Sequence, residues 1–165
     1  MADLVSHVAC GLIVKGATRG PLTSAMIAGT ILPDIGARVP ALGFSALGKL
    51  GIEIPTTFSY IFEALHMPLG LLLACYLISL VFVVEQRRTA FLNLLGGAGL
   101  HLALDLAQHH LGVGYLLLFP FSTADFEFGW IGTEATVYAA PALGPAAWFF
   151  WRIRTGSQRS SAEES

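Results

Sequence analysis

From Met67 to Val84 the chain runs 18 residues without a charge, and from Ala135 to Trp151 it runs 17 more. Runs of that length approach the roughly 20 apolar residues that carry a helix across a hydrocarbon core. Each gives way to basic sequence, "EQRR" after the first and "RIR" after the second. Composition points the same way: 55% of the 165 residues are hydrophobic, 12% are charged, and mean hydropathy is +0.68. Soluble domains carry about twice that share of charge. Surplus apolar surface must face something other than water, and lipid is the natural partner. A net charge of −2 argues against a nucleic-acid partner, which needs a basic face. Cys10 and Cys75 lie in apolar runs and suggest no disulfide framework. The start, "MADLVSHVACG", has no basic n-region, and Ser6 and His7 interrupt its apolar run. Insertion is therefore expected to rest on the spans rather than on a removable signal.

The pattern predicts an all-α fold, a polytopic membrane bundle of about five helices. Three are expected to be long spans, at Met67–Val84, Phe91–Leu111 and Ala135–Trp151. Leu4–Val14 and Pro21–Leu32 read as a short N-terminal helical hairpin turning at "KGATRG", with Pro21 suited to a first turn. At about 1.5 Å rise per residue neither would cross a bilayer alone. Residues 33–57 are rich in Gly and Pro and read as a long loop. Residues 112–130 read as a second irregular region whose aromatics suit a membrane interface. Residues 1–154 form one expected membrane-embedded domain, and 155–165 a disordered polar tail.

Alternating this topology puts Lys15, Arg19, Arg87, Arg88, Arg152, Arg154 and Arg159 on one side, against Arg38 and Lys49 on the other. By the positive-inside rule the first group is cytoplasmic. Asp34, Glu53, Asp125, Glu127 and Glu134 then collect on the outer side. Ionisable groups within apolar helices are costly and tend to mark a site. Five of them fall at similar depth in the outer half: His7, Asp34, His66, His101 and Asp105. His101 and Asp105, in "GLHLALDLAQHH", are four residues apart and share a helix face, as two ligands of one metal would. His109 continues that stripe, and Glu63 neighbours His66 at three residues' spacing. Imidazoles and carboxylates on rigid helices suit Zn²⁺, Fe²⁺ or Mn²⁺ better than Ca²⁺. Plainer roles exist for each residue taken singly. His7 could pack helices through a hydrogen bond, Asp34 could belong to a turn, Glu63 could face the positive end of a helix, and His109 and His110 could sit at the interface. Gly96, Gly97 and Gly99 fit close helix approach.

The segments "HVACGLIVKG", "AGTILPDIG", "LHMPLG", "GAGLHLALDL" and "GVGYLLLFPFS" occur in the order found in the YdjM/DUF457 family. That family comprises membrane-bound, metal-dependent hydrolase-like proteins, and the chain resembles it over most of residues 1–125. The family is distantly similar to zinc-dependent phospholipase C. The resemblance implies that His7, Asp34, His66, His101 and Asp105 are metal ligands, with zinc the first candidate metal. Three positions depart from the pattern. Gly36 stands where a second aspartate is common. Ile61 and Phe62 stand where a histidine and an arginine are common. The departures argue against a second metal and against a phosphate contact from position 62.

These readings together predict an integral protein of the bacterial inner membrane with its polar cluster facing outward. Metal-bound hydroxide would attack an ester or phosphoester of a lipid-like substrate, with Glu63 or Asp34 as general base. One alternative is a catalytically inactive scaffold or subunit of a larger membrane complex, in which protein partners or a homo-oligomer would use the small-residue faces. Another is a proton conduit, for which the inner half of the membrane lacks polar stepping stones.

Overall fold

The structure is a computed structural model and describes residues 4–18, 20–52, 54–55, 58, 61–62, 64–109, 114–132, 138 and 142–153. Among these residues the fold is all-helical, with no strand. Helix α1 is Leu4–Thr18, α2 is Thr23–Lys49, a 3-10 turn covers Ala64–His66, α3 is Pro68–Ser79 and α4 is Val84–Ala107. A further stretch, 142–153, is helical.

Among the described residues two helices are long and apolar enough to cross a membrane, α2 and α4. Helix α4 covers most of the expected span Phe91–Leu111, whereas part of the expected span Ala135–Trp151 and the whole tail 155–165 lie outside the described residues. The expectation for Met67–Val84 is corrected. The run Met67–Val84 holds only a 12-residue helix, about 18 Å long at 1.5 Å per residue, well short of a hydrocarbon core of about 30 Å. It starts where Pro68 supplies a ready-made first turn. It stops after Ser79, where Leu80, Val81 and Phe82 bond back to Leu77, Ile78 and Ser79 in a tight turn. An unbroken apolar run has no marker for a turn within it, so composition reads straight through.

The opposite error falls on α2. The sequence suggests a helix ending near Leu32 and a loop from Pro33, yet the helix continues for 27 residues through Pro33 and Pro40. A proline removes one N–H and crowds the carbonyl four residues back. In an apolar setting neighbouring helices can satisfy the groups it frees.

The core is formed by Ala25 of α2, Leu71 and Cys75 of α3, and Leu94, Ala98 and Leu102 of α4. Two glycines set the α2–α4 crossing. A Cβ on Gly29 would fall 2.1 Å from the Leu94 carbonyl oxygen, and one on Gly97 would fall 2.2 Å from that of Met26. Backbone therefore lies on backbone, the close approach that small residues permit. The contacts advance together, Gly29 on Leu94 and Thr30 beside both Gly97 and His101, so the two helices run in the same direction. Helix α3 turns Leu69, Leu72, Leu73, Tyr76 and Leu77 outward, each roughly half exposed. That spacing is one complete helix face.

Residues 114–132 are irregular, as expected, and carry only isolated bridges. Their placement follows from the end of α4. A helix leaves its last carbonyls without partners, and the backbone N–H groups of Phe128 and Ile131 donate to those of Leu106 and Ala107. The loop is thereby held over the C-terminal end of α4.

Candidate metal centre

The α2–α4 crossing puts Thr30 and Asp34 opposite His101 and Asp105. Helix α1 adds His7, and the 3-10 turn before α3 adds His66. All five residues meet in one cluster. His7 and His101 are fully buried, and Asp105 and Asp34 are 1% and 4% exposed. His66 is the most open member, with its side chain 12% exposed.

His101 is oriented from behind. Its Nδ1 is 2.8 Å from the Thr30 carbonyl oxygen. A carbonyl can only accept, so Nδ1 carries a proton, and Nε2 is the ring nitrogen turned towards the cluster. That Nε2 lies 3.2 Å from Asp105 Oδ2 and 3.3 Å from His66 Nε2, while His66 Nε2 lies 3.7 Å from Asp105 Oδ2. The ring of His7 stacks on that of His101, with centroids 3.9 Å apart, and its Nε2 is 3.3 Å from Asp105 Oδ1. Asp34 Oδ1 is 3.9 Å from His66 Nε2. The Asp105 carboxylate thus turns one oxygen towards His7 and the other towards His66 and His101.

Several of these atoms are buried without a hydrogen bond. Among the described residues, both ring nitrogens of His7, both carboxylate oxygens of Asp34, and Asp105 Oδ1 lack one. Three of them meet an opposite charge at a distance, His7 Nε2 with Asp105 Oδ1 and Asp34 Oδ1 with Arg38 Nε, but buried polar atoms without a hydrogen bond are rare in folded proteins, and an ion is one of the few things that accounts for a group of them. The spacing fits an ion as well. The circle through His66 Nε2, His101 Nε2 and Asp105 Oδ2 has a radius of about 2.0 Å, close to a Zn–N or Zn–O bond of about 2.0–2.2 Å. The cluster could hold a metal ion: His7, His101 and Asp105 bring one ligand atom each within 4.8 Å of one another, as do Asp34, His66 and His101.

Three further residues bear on the cluster, and sequence reasoning assigned none of them to it. Thr30 acts through its carbonyl, which no side-chain motif can reveal. Tyr115, on the loop pinned to α4, donates its hydroxyl hydrogen to Asp105 Oδ2. Burial first, and then the nearby Asp105 carboxylate, raise the pKa of that hydroxyl well above the ordinary phenol range, so it remains a donor. Arg38, one turn beyond Asp34 on α2, holds its Nε 3.0 Å from Asp34 Oδ1. The "PD" reading of Asp34 as a loop residue hid that i, i+4 pair.

Other candidates lie elsewhere. Glu63 is outside the described residues, as are His110, Glu53 and Glu134. His109 does not join the cluster; its Nδ1 is 3.0 Å from Glu127 Oε1 at the surface. Lys15, expected in a basic inner loop, is 5% exposed and donates to Asn93 Oδ1 on α4. Position 62 carries no cation, and the Phe62 ring packs 5.7 Å from that of Phe44. Gly36 faces the Leu65 side chain, which a Cβ there would approach to 3.0 Å. The chain matches no protein-family model, no curated protein and no solved structure.

Proposed function

We propose that this protein is an integral membrane hydrolase that depends on a divalent metal, zinc before iron or manganese, and acts on an ester or phosphoester of a lipid-like substrate. The observation that carries the reading is the convergence of three imidazoles and two carboxylates in a buried cluster where five polar atoms have no hydrogen bond. Nitrogen and carboxylate donors on rigid helices favour these transition metals over Ca²⁺ or Mg²⁺. His66, His101 and Asp105 would hold the ion, with His7 and Asp34 completing or supporting the set. Held by these residues, a divalent metal would supply Lewis acidity and lower the pKa of water at the site towards neutrality.

The chain's own residues have distinct tasks in this reading. The Thr30 carbonyl fixes the His101 tautomer, and the Tyr115 hydroxyl fixes the Asp105 carboxylate. Asp34, whose Oδ2 has neither a hydrogen bond nor an ion pair among the described residues, is the internal proton acceptor. Helices α1, α2 and α4 exclude water from three sides, leaving the His66 side for substrate entry. Membrane insertion is supported by the length of α2 and α4 and by the outward apolar face of α3. The positive-inside rule applied to Arg87, Arg88 and Arg152 supports a cytoplasmic position for their end of the bundle, with the cluster towards the outer leaflet of the inner membrane. The family resemblance described above implies the same activity.

Metal analysis of the full chain purified in detergent tests the proposal. About one equivalent of zinc, iron or manganese is expected, lost in His101→Ala and Asp105→Asn. Wild-type protein that folds, takes up no metal from any of the three salts and hydrolyses nothing would instead support a scaffold role.

A further inference from the structure

We propose that Arg38 selects the substrate: it receives the phosphoryl oxyanion of an amphiphile whose hydrocarbon chains lie along Ile35, Val39 and Leu42. This rests on the hydrolase reading and decides between its two ester classes. Arg38 is anchored on one edge, with Nε 3.0 Å from a nearly buried Asp34, while its own side chain is 43% exposed. A guanidinium carries five N–H donors in a rigid fork. Beyond the Asp34 pair, no hydrogen bond or ion pair to that fork occurs among the described residues. The side chain is thus anchored at the rim of the cluster, partly exposed, with donors to spare. Asp34 is also 3.9 Å from His66 Nε2, so the fork stands next to the more open side of the site.

The surroundings of Arg38 specify the rest of the ligand. At about 100° per residue, Arg38 lies about 40° from the line of Asp34 around α2, with Leu42, Ile35 and Val39 following at about 80°, 100° and 140°. These three apolar side chains are 71%, 47% and 59% exposed respectively. Going around the helix, then, the order is buried carboxylate, half-exposed guanidinium and exposed apolar stripe. An amphiphile matches that order, with its head at the site and its chains on the stripe. The head should be anionic. A carboxylic ester is neutral at its scissile group and gives a guanidinium no charge to meet. A phosphoester presents non-bridging oxygens that accept two parallel N–H bonds from the fork.

The test uses the full chain in detergent, its metal content, and calorimetric binding of three probes: dihexanoyl phosphatidic acid, dihexanoylglycerol and inorganic phosphate. Wild type should bind the phosphatidic acid at least tenfold more tightly than either other probe. Arg38→Lys keeps a charge for Asp34 but loses the fork, so the preference should fall at least tenfold with metal content unchanged. Arg38→Gln should abolish the preference; if it fails to fold, the lysine variant still decides. Equal binding of phosphatidic acid and dihexanoylglycerol by wild type, or an undiminished preference in Arg38→Lys, overturns the proposal. Inorganic phosphate binding as tightly as the phosphatidic acid overturns the amphiphile and leaves a free-phosphate site. The two readings fail separately. Metal-free protein with an Arg38-dependent preference removes the hydrolase and keeps the selector, and metal-loaded protein without the preference does the reverse.

Discussion

Replacing Gly97 with alanine adds one methyl group to α4, and the structure says where that methyl must go. It would lie 2.2 Å from the Met26 carbonyl oxygen and 2.8 Å from the Thr30 nitrogen. Ordinary C···O contacts begin near about 3.3 Å, so α2 and α4 must separate by roughly 1 Å at this point. Both obstructing atoms are backbone and cannot rotate away. Overpacking of this kind costs about 1–3 kcal/mol. The same displacement lengthens the 2.8 Å bond from His101 Nδ1 to the Thr30 carbonyl beyond hydrogen-bond range, at a further cost of about 0.5–1.5 kcal/mol. The expected total is about 1.5–4.5 kcal/mol, together with weaker metal retention because His101 loses its orientation. Gly99→Ala is the internal control. It lies two residues along the same helix, and a Cβ there meets nothing within 4 Å. It should stabilise the protein by about 0.4–1 kcal/mol, because alanine restricts the unfolded chain and favours helix. Reversible unfolding in mixed detergent micelles measures both variants. If Gly97→Ala proves as stable as Gly99→Ala and retains as much metal, then the two glycines do not set the helix crossing and the cluster does not depend on it.

Tyr115→Phe removes the hydroxyl that donates to Asp105 while keeping the ring; metal affinity should fall about 10–100-fold, read by competition with a zinc chelator, with the fold intact. His109→Ala breaks a surface contact with Glu127, so stability should change by no more than about 0.5 kcal/mol and metal content not at all. Loss of metal in His109→Ala would mean that the ligand stripe on α4 runs one turn further than the geometry indicates.

The candidate ligands were legible because of where they sit. A histidine and an aspartate four residues apart in "GLHLALDLA" are conspicuous among leucines and alanines, since desolvating them needs a reason. His7, Asp34 and His66 could be added from topology, although two of the helix boundaries behind that topology were misjudged. The convergence does not depend on those boundaries, because Asp34 has the same depth within α2 as just past its expected end and His66 precedes α3 wherever that helix stops. Helix α2 overruns Asp34 at its far end, and α3 falls short after Ser79, far from His66. Tyr115 escaped notice because it reaches Asp105 only through a loop fixed by main-chain hydrogen bonds, which leave no trace in side-chain spacing.

By itself the sequence determined that the chain is apolar, helical and burdened with a few buried ionisable groups, because hydropathy and i, i+4 spacing are local properties of a polymer. It also displayed Gly97 as a small residue on α4. Only the tertiary structure supplied its counterpart, Gly29, and with it the crossing that sets Thr30 against His101. A distance between two helices depends on which atoms on each surface collide first, and that is a property of the pair and not of either strand of text.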